Sequence, residues 1–269
     1  MNRKTINLLQ KALKYLFFPL CWVWRSLFFV NAVVTFFLLF PLFFILLQRE
    51  KWFPAVFWLK KFWAHLIIWP VGIFYSIENK AKLKKNQPYV ICPNHTSYLD
   101  IMLIYIGIPG YFHTMGKAEL LKIPLFRLFF KKMNIPVDRK SKSGAKQAIQ
   151  RAESDLDKGI SVALFPEGTI HHHGPVMGRF KNGPFHLAIA KQIPLVPITF
   201  MDNWRILPDD FQHRVGRPGI ARMIIHEPIE TKGMTEADLE RLKQMTYQVI
   251  SQPLQNEYPE WFKRYSGNV

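Results

Sequence analysis

Apolar positions crowd the first third of the chain and thin out abruptly near residue 76. At the start, Ile6, Leu9, Leu13, Leu16 and Leu20 recur at helical spacing, while Lys4, Asn7, Lys11 and Lys14 fall on the opposite side. A basic amphipathic helix of this kind lies along an anionic membrane surface. Leu27 to Leu47 then carries no charge, and a run of about 21 residues is long enough for a hydrocarbon layer of roughly 30 Å. An aromatic segment follows from Trp52 to Tyr75, broken by Lys60, Lys61 and His65. Its Trp52, Trp58, Trp63 and Trp69 are of the type that favours the membrane–water boundary. Basic residues flank the apolar run on both sides: Arg3, Lys4, Lys11, Lys14 and Arg25 before it, Arg49, Lys51, Lys60 and Lys61 after it. The positive-inside rule therefore assigns no orientation, and symmetric flanks predict a helical hairpin that dips into one leaflet and returns. The run is too long and begins too late for a cleaved leader, and it lacks a small-residue cleavage site.

Beyond residue 76 short β-like runs alternate with amphipathic stretches. Strands are expected at Tyr89–Cys92, Tyr111–Thr114, Asn134–Val137, Ile160–Phe165, Leu195–Phe200 and Ala221–His226. Helices are expected at Tyr98–Ile106, Glu119–Lys131, Ser143–Lys158 and Phe185–Lys191, with a last one from Thr235, where Thr235 and Asp238 stand at capping-box spacing. The alternation predicts an α/β domain with a mostly parallel central sheet flanked by helices. The chain is thus expected to divide into membrane-binding helices over 1–75 and an α/β domain over 76–269.

Charge narrows the class of partner. Thirty-six Lys and Arg stand against 19 Asp and Glu, a formal charge of +17, which draws the chain to polyanions such as anionic headgroups or phosphorylated substrates. Nucleic acid fits poorly, because the aromatics gather in the apolar segments rather than among Lys and Arg on a binding face. The two cysteines, Cys21 and Cys92, give no disulfide framework and fit a reducing compartment.

The segment Asn94-His95-Thr96-Ser97-Tyr98-Leu99-Asp100 puts an imidazole and a carboxylate five residues apart, between an expected strand and an expected helix. Within one continuous helix that offset would splay the two side chains by about 140°, so the pair works only if His95 precedes the helix. Ser97 suits the N-cap and Asp100 the position that reaches back to it. Asp100 is therefore a capping carboxylate, an orienter of His95, or both. No Gly-x-Ser-x-Gly context marks a protein nucleophile. That favours His95 as a general base acting on a hydroxyl of bound substrate. Downstream, Phe165-Pro166-Glu167-Gly168-Thr169 ends an apolar strand in a sharp turn carrying one acid.

Asn-His-x-x-x-x-Asp resembles the first conserved block of the glycerolipid acyltransferases, specifically the PlsC-type 1-acylglycerol-3-phosphate acyltransferases. Gly116-Lys117-Ala118-Glu119-Leu120 with Ile135-Pro136-Val137-Asp138-Arg139 is similar to the second block. Phe165-Pro166-Glu167-Gly168-Thr169 with Phe180-Lys181-Asn182-Gly183 is similar to the third, and Leu195-Val196-Pro197-Ile198 to the fourth. The resemblance spans about residues 76 to 230. It implies acyl transfer from a thioester of acyl-carrier protein or CoA to the hydroxyl of a lysophospholipid, with no further cofactor and no metal. His95 would be the base and Asp100 its orienter. Lys117, Arg139 and the Glu167-Gly168-Thr169 turn would face the acceptor, Glu167 orienting a hydroxyl or a basic neighbour. Many family members carry Arg after Glu-Gly-Thr, whereas Ile170 and then His171-His172-His173 stand here. Arg179 is the expected substitute cation, against a plain surface role. The altered residue keeps a second acceptor class open, such as a lyso-amino-acid lipid. The three histidines are read as a loop at the site mouth in preference to a metal site, since consecutive residues seldom converge on one ion. The implied location is a membrane, at the cytoplasmic face of a bacterial inner membrane.

Overall fold

The computed structural model describes residues 3–84, 86–138, 141–171, 174–210 and 216–265, with backbone alone at 3–18, 124, 126 and 142. Helix α1 (Arg3–Leu46) is continuous, and the side chains expected to form its amphipathic first turns lie outside the described ones. A single 3₁₀ turn at Glu50–Trp52 reverses the chain into α2 (Phe53–Ile68), which opens on Pro54 near its start, where a missing N–H costs nothing.

The mild interruptions of the apolar run tie the two helices together. Asn31 Nδ2 donates to the Leu66 and Ile67 carbonyls, each at 2.9 Å, satisfying groups that the end of α2 leaves without helical partners. Trp63 Nε1 donates to Thr35 Oγ1 at 3.0 Å. Around these bonds Phe36, Phe43 and Leu47 pack against Val56, Phe129 and Met133. The outer face of α1 stays bare, with Leu27, Val30, Phe37 and Leu38 more than half exposed. Pro19–Leu46 has a mean hydropathy of 2.5 and is long and apolar enough to cross a membrane. The inner faces join the rest of the protein: Phe28, Phe57, Ala64 and Ile67 share one core with Ile91, Leu103, Ile104 and Phe112.

The Trp52–Tyr75 segment does not stay helical. Gly72, at φ +73°, turns the chain out of a short 3₁₀ turn into β1 (Ile73–Asn79), a strand absent from the sequence-based expectation. The others are β2 (Val90–Pro93), β3 (Phe112–Lys117), β4 (Asn134–Val137), β5 (Ser161–Ala163), β6 (Leu195–Phe200) and β7 (Gly219–Ile225). They form one seven-stranded sheet in the order β1-β7-β6-β2-β5-β3-β4, parallel except where β6 meets β7. The expected stretch Glu119–Lys131 is split into a 3₁₀ turn, Ala118–Lys122, and α4 (Pro124–Met133), because Pro124 can start a helix but not continue one.

Helix α3 (Leu99–Gly107) leaves β2 for the face that carries α2. α6 (Gly183–Lys191), which follows β5, packs on the other face with α5 (Lys142–Asp157) and α8 (Leu239–Glu257). Adjacent strands β2 and β5 thus send their helices to opposite sides, which opens a crevice beyond their carboxyl ends. The short α7 (Asn203–Ile206) borders the same edge after β6.

Candidate active site

The crevice begins where β2 stops. Asn94 continues its pairing with side-chain atoms: Oδ1 accepts from Phe200 N at 2.7 Å and Nδ2 donates to Phe200 O at 3.2 Å. This fully buried amide fixes the place from which His95 departs. His95 then precedes α3, as its partnership with Asp100 requires, and its Nδ1 lies 2.9 Å from Asp100 Oδ2. The same oxygen accepts from Thr96 N at 2.7 Å and Ser97 N at 2.9 Å. Asp100 Oδ1 accepts from Asn203 Nδ2 at 2.7 Å. Asp100 is completely buried, so capping and orienting are performed by one carboxylate in the first turn of α3, where the helix field favours its charge. Ser97 Oγ accepts from Leu99 N at 3.0 Å and donates to Leu207 O.

Because Asp100 can only accept, neutral His95 carries its proton on Nδ1 and presents a bare Nε2. Phe165 stacks on the ring at 3.9 Å between centroids and 25° between planes. Glu167 completes the frame by gripping backbone: Oε1 accepts from His95 N at 2.7 Å and Oε2 from Gly178 N at 2.8 Å. Burial pushes its carboxyl up to about 8, against the pull of those two N–H donors. A group raised in the folded state contributes stability that is complete below its unfolded value, near 4.5, and is lost as pH rises through about 8. The detergent-solubilised chain should therefore lose on the order of 5 kcal/mol of stability over that interval relative to Glu167→Gln. Thermal unfolding midpoints of the two proteins against pH check this, and parallel curves would refute it.

A cavity of about 280 Å³ opens on the Phe165 side, lined by Met115, Val137, Ile149, Leu164 and Phe165, with Gly168, Lys181 and Gly183 at one end. Lys181 is its one charged lining residue among the described residues. Its Nζ lies 2.7 Å from where a Cβ on Gly168 would stand, so a side chain there would displace the ammonium. Gly168 also sits at φ +71°, a conformation only glycine takes without strain.

The remaining expected contacts scatter. Thr169 and Arg179 are exposed and neither lines the cavity. Lys117 ends β3 with its side chain 58% exposed, 3.8 Å from Glu119. Glu167 is buried behind His95, with both oxygens engaged. Arg139, His172 and His173 lie outside the described residues. No group of three or more metal-ligating side chains occurs among the described residues. The motifs gave no sign of Asn203 or of Phe165 as a stacking partner, whereas Lys181, part of the third block and the next cation beyond Arg179, is the one that lines the cavity. Asn203 reaches Asp100 only because β6 pairs with β2, which nothing in the local sequence reveals.

An acyltransferase family model matches residues 75–201, a stretch that contains β2, β5, β6, the His95–Asp100 pair and Glu167. Over that stretch, just under half of its length, the chain is similar to the acyltransferase family. Over 173 residues it is 31% identical to the 1-acyl-sn-glycerol-3-phosphate acyltransferase alpha of Mus musculus, covering 64% of this chain and 60% of that protein. It is 33% identical to a chloroplastic 1-acyl-sn-glycerol-3-phosphate acyltransferase of Arabidopsis thaliana, covering 63% and 47%. The chain thus matches about half to three-fifths of the length of these relatives. The crystal structure of the 1-acyl-sn-glycerophosphate acyltransferase PlsC from Thermotoga maritima has the same fold, with a TM-score of 0.72 at 20% identity over 90% of this chain and 97% of that one. The fold likeness extends beyond the family-matched stretch to the N-terminal helices.

Proposed function

We propose that this protein is an acyltransferase that moves a fatty acyl group from an acyl thioester to the sn-2 hydroxyl of 1-acylglycerol-3-phosphate, giving phosphatidic acid. The observation that carries the reading is half-buried His95 paired to fully buried Asp100, with Nε2 unengaged beside a largely apolar cavity. His95 Nε2 takes the proton of the acceptor hydroxyl as its oxygen attacks the thioester carbonyl carbon. The carbon–sulfur bond then breaks, and the imidazolium returns the proton to the leaving thiolate. Asp100 stabilises that imidazolium. No acyl-enzyme is needed. Cys92 is buried with its thiol pushed up by burial, and Ser97 Oγ is held by Leu207 O.

Lysophosphatidate is an amphiphile, and the cavity offers apolar walls with the Lys181 ammonium as the one charge among the described residues. Lys117 and Arg179 add positive charge outside the cavity lining. The exposed face of α1 and the tryptophans of α2, with Trp58 at 61% exposure, suit a hairpin held in one leaflet where the acceptor resides. The donor is taken to be acyl-carrier protein or CoA, and the location the cytoplasmic face of a bacterial inner membrane. The similarity of the two curated relatives supports this acceptor.

The test is acyl transfer by the full chain in mixed micelles against a panel of lysolipids. Lysophosphatidate is expected to be preferred, with Lys181→Ala raising its KM roughly tenfold, the scale of one lost charge-assisted hydrogen bond, and Arg179→Ala raising it less. Transfer to a lyso-amino-acid lipid in preference to lysophosphatidate would replace the proposed acceptor.

A further inference from the structure

We infer that Asn203 is a positioning residue of the His95–Asp100 pair, setting how strongly Asp100 holds the imidazolium; the inference rests on the proposed role of His95 as base. Three donors converge on Asp100 Oδ2, while Oδ1 has a single partner, Asn203 Nδ2 at 2.7 Å. That bond fixes the rotation of the carboxylate about its last torsion. It also draws charge toward Oδ1, away from the oxygen that faces His95. The orientation of the amide is dictated chemically: a flip would set its oxygen against a carboxylate oxygen.

Asn203 bears the mark of a residue kept for that contact alone. It is fully buried, and its own Oδ1 has no hydrogen-bond partner. An orphaned buried acceptor costs stability, so packing gives no reason for an amide over an apolar side chain of the same shape. Its backbone is fixed from the next position. Buried Asp202 accepts from Arg222 Nε at 2.6 Å and Tyr258 Oη at 2.7 Å, with Arg205 also paired to it. These bonds hold Asp202 well below the usual carboxylate range despite burial that would raise it. The short α7 is thereby locked to β7 and to the end of α8, and Asn203 is delivered rigidly to Asp100.

The test is the pH profile of kcat for the full chain, in Asn203→Leu and Asn203→Asp. The groups facing His95 are Asp100 from α3, and Glu167 and His171 from the segment after β5. None of these is altered by the substitutions. In Asn203→Leu, Oδ1 loses its donor, the carboxylate pulls harder on the imidazolium, and the acid limb should move up by roughly half to one pH unit. kcat should fall roughly tenfold, toward the low end of what a positioned base supplies, while KM stays within about twofold. In Asn203→Asp, a shared proton restores a donor at low pH, so the profile should narrow from the alkaline side as that proton is lost. A purely structural role would lower the active fraction and leave the limbs of both variants in place, which overturns the inference. Failure of the base assignment shows separately, as activity retained by His95→Ala.

Discussion

Replacing His95 with Ala should lower kcat by about 10²–10⁴-fold and leave KM for the acceptor nearly unchanged. The split follows from what the ring touches. Its Nδ1 is spent on Asp100, one face is covered by Phe165, and only Nε2 is left to meet a hydroxyl. No neighbour substitutes for it. Cys92 is fully buried, Ser97 is bonded at both ends of its hydroxyl, and Glu167 has both oxygens on backbone N–H groups. His171 is nearby, but its Nε2 faces Glu167 at 3.8 Å. Steady-state kinetics with lysophosphatidate and an acyl thioester decide the matter. A variant keeping more than a tenth of wild-type kcat would mean that the substrate hydroxyl is deprotonated elsewhere. The cavity wall formed by Phe165 and Leu164 does not depend on the imidazole, so binding should survive its removal.

The fold class and the His95–Asp100 pair were legible because both are written locally. Parallel strands buried on both faces give short apolar runs, and the Asn134–Val137 and Leu195–Phe200 strands fall where that pattern places them. The capping box at Thr235 and Asp238 is likewise a contact across three residues, and it forms. What stayed hidden depends on sheet order. β1 was absorbed into an apolar segment whose residues continue unbroken past the turn at Gly72, and only pairing with β7 makes it a strand. Arg179 drew attention by nearness along the chain to Ile170, yet Lys181 lies at the cavity, because Lys181 N donates to Pro166 O at 2.8 Å and folds the second segment onto the first. Asn203 stands 103 residues from Asp100, and no spacing rule joins them. The continuous apolar core across α1, α2, α3 and β3 was equally unreadable, since a lipid-facing and a protein-facing Phe look alike in sequence.

Asp100→Asn should lower kcat by roughly 10²–10³ while leaving the fold intact, somewhat less than the roughly 10⁴ associated with losing an orienting carboxylate and its tautomer together. The backbone explains the difference. Thr96 N and Ser97 N both point at the Oδ2 position, so the substituted amide must place its oxygen there and still accept from His95 Nδ1. The tautomer is thereby preserved. Its NH₂ then meets Asn203 Nδ2, and Asn203 can answer by flipping to present its unpartnered Oδ1. Every bond is remade and only the charge is lost, so the unfolding free energy should change by no more than about 1 kcal/mol, the worth of an ordinary hydrogen bond. Without the charge the imidazolium is less stable, and the acid limb of kcat should move down in pH. That is opposite in sign to the shift expected for Asn203→Leu. Because Asn203 acts through the Asp100 charge, the double variant should be little worse than Asp100→Asn alone, a coupling that a double-mutant cycle measures directly. A limb that stays in place, or additive losses, would show that Asp100 serves only as the cap of α3.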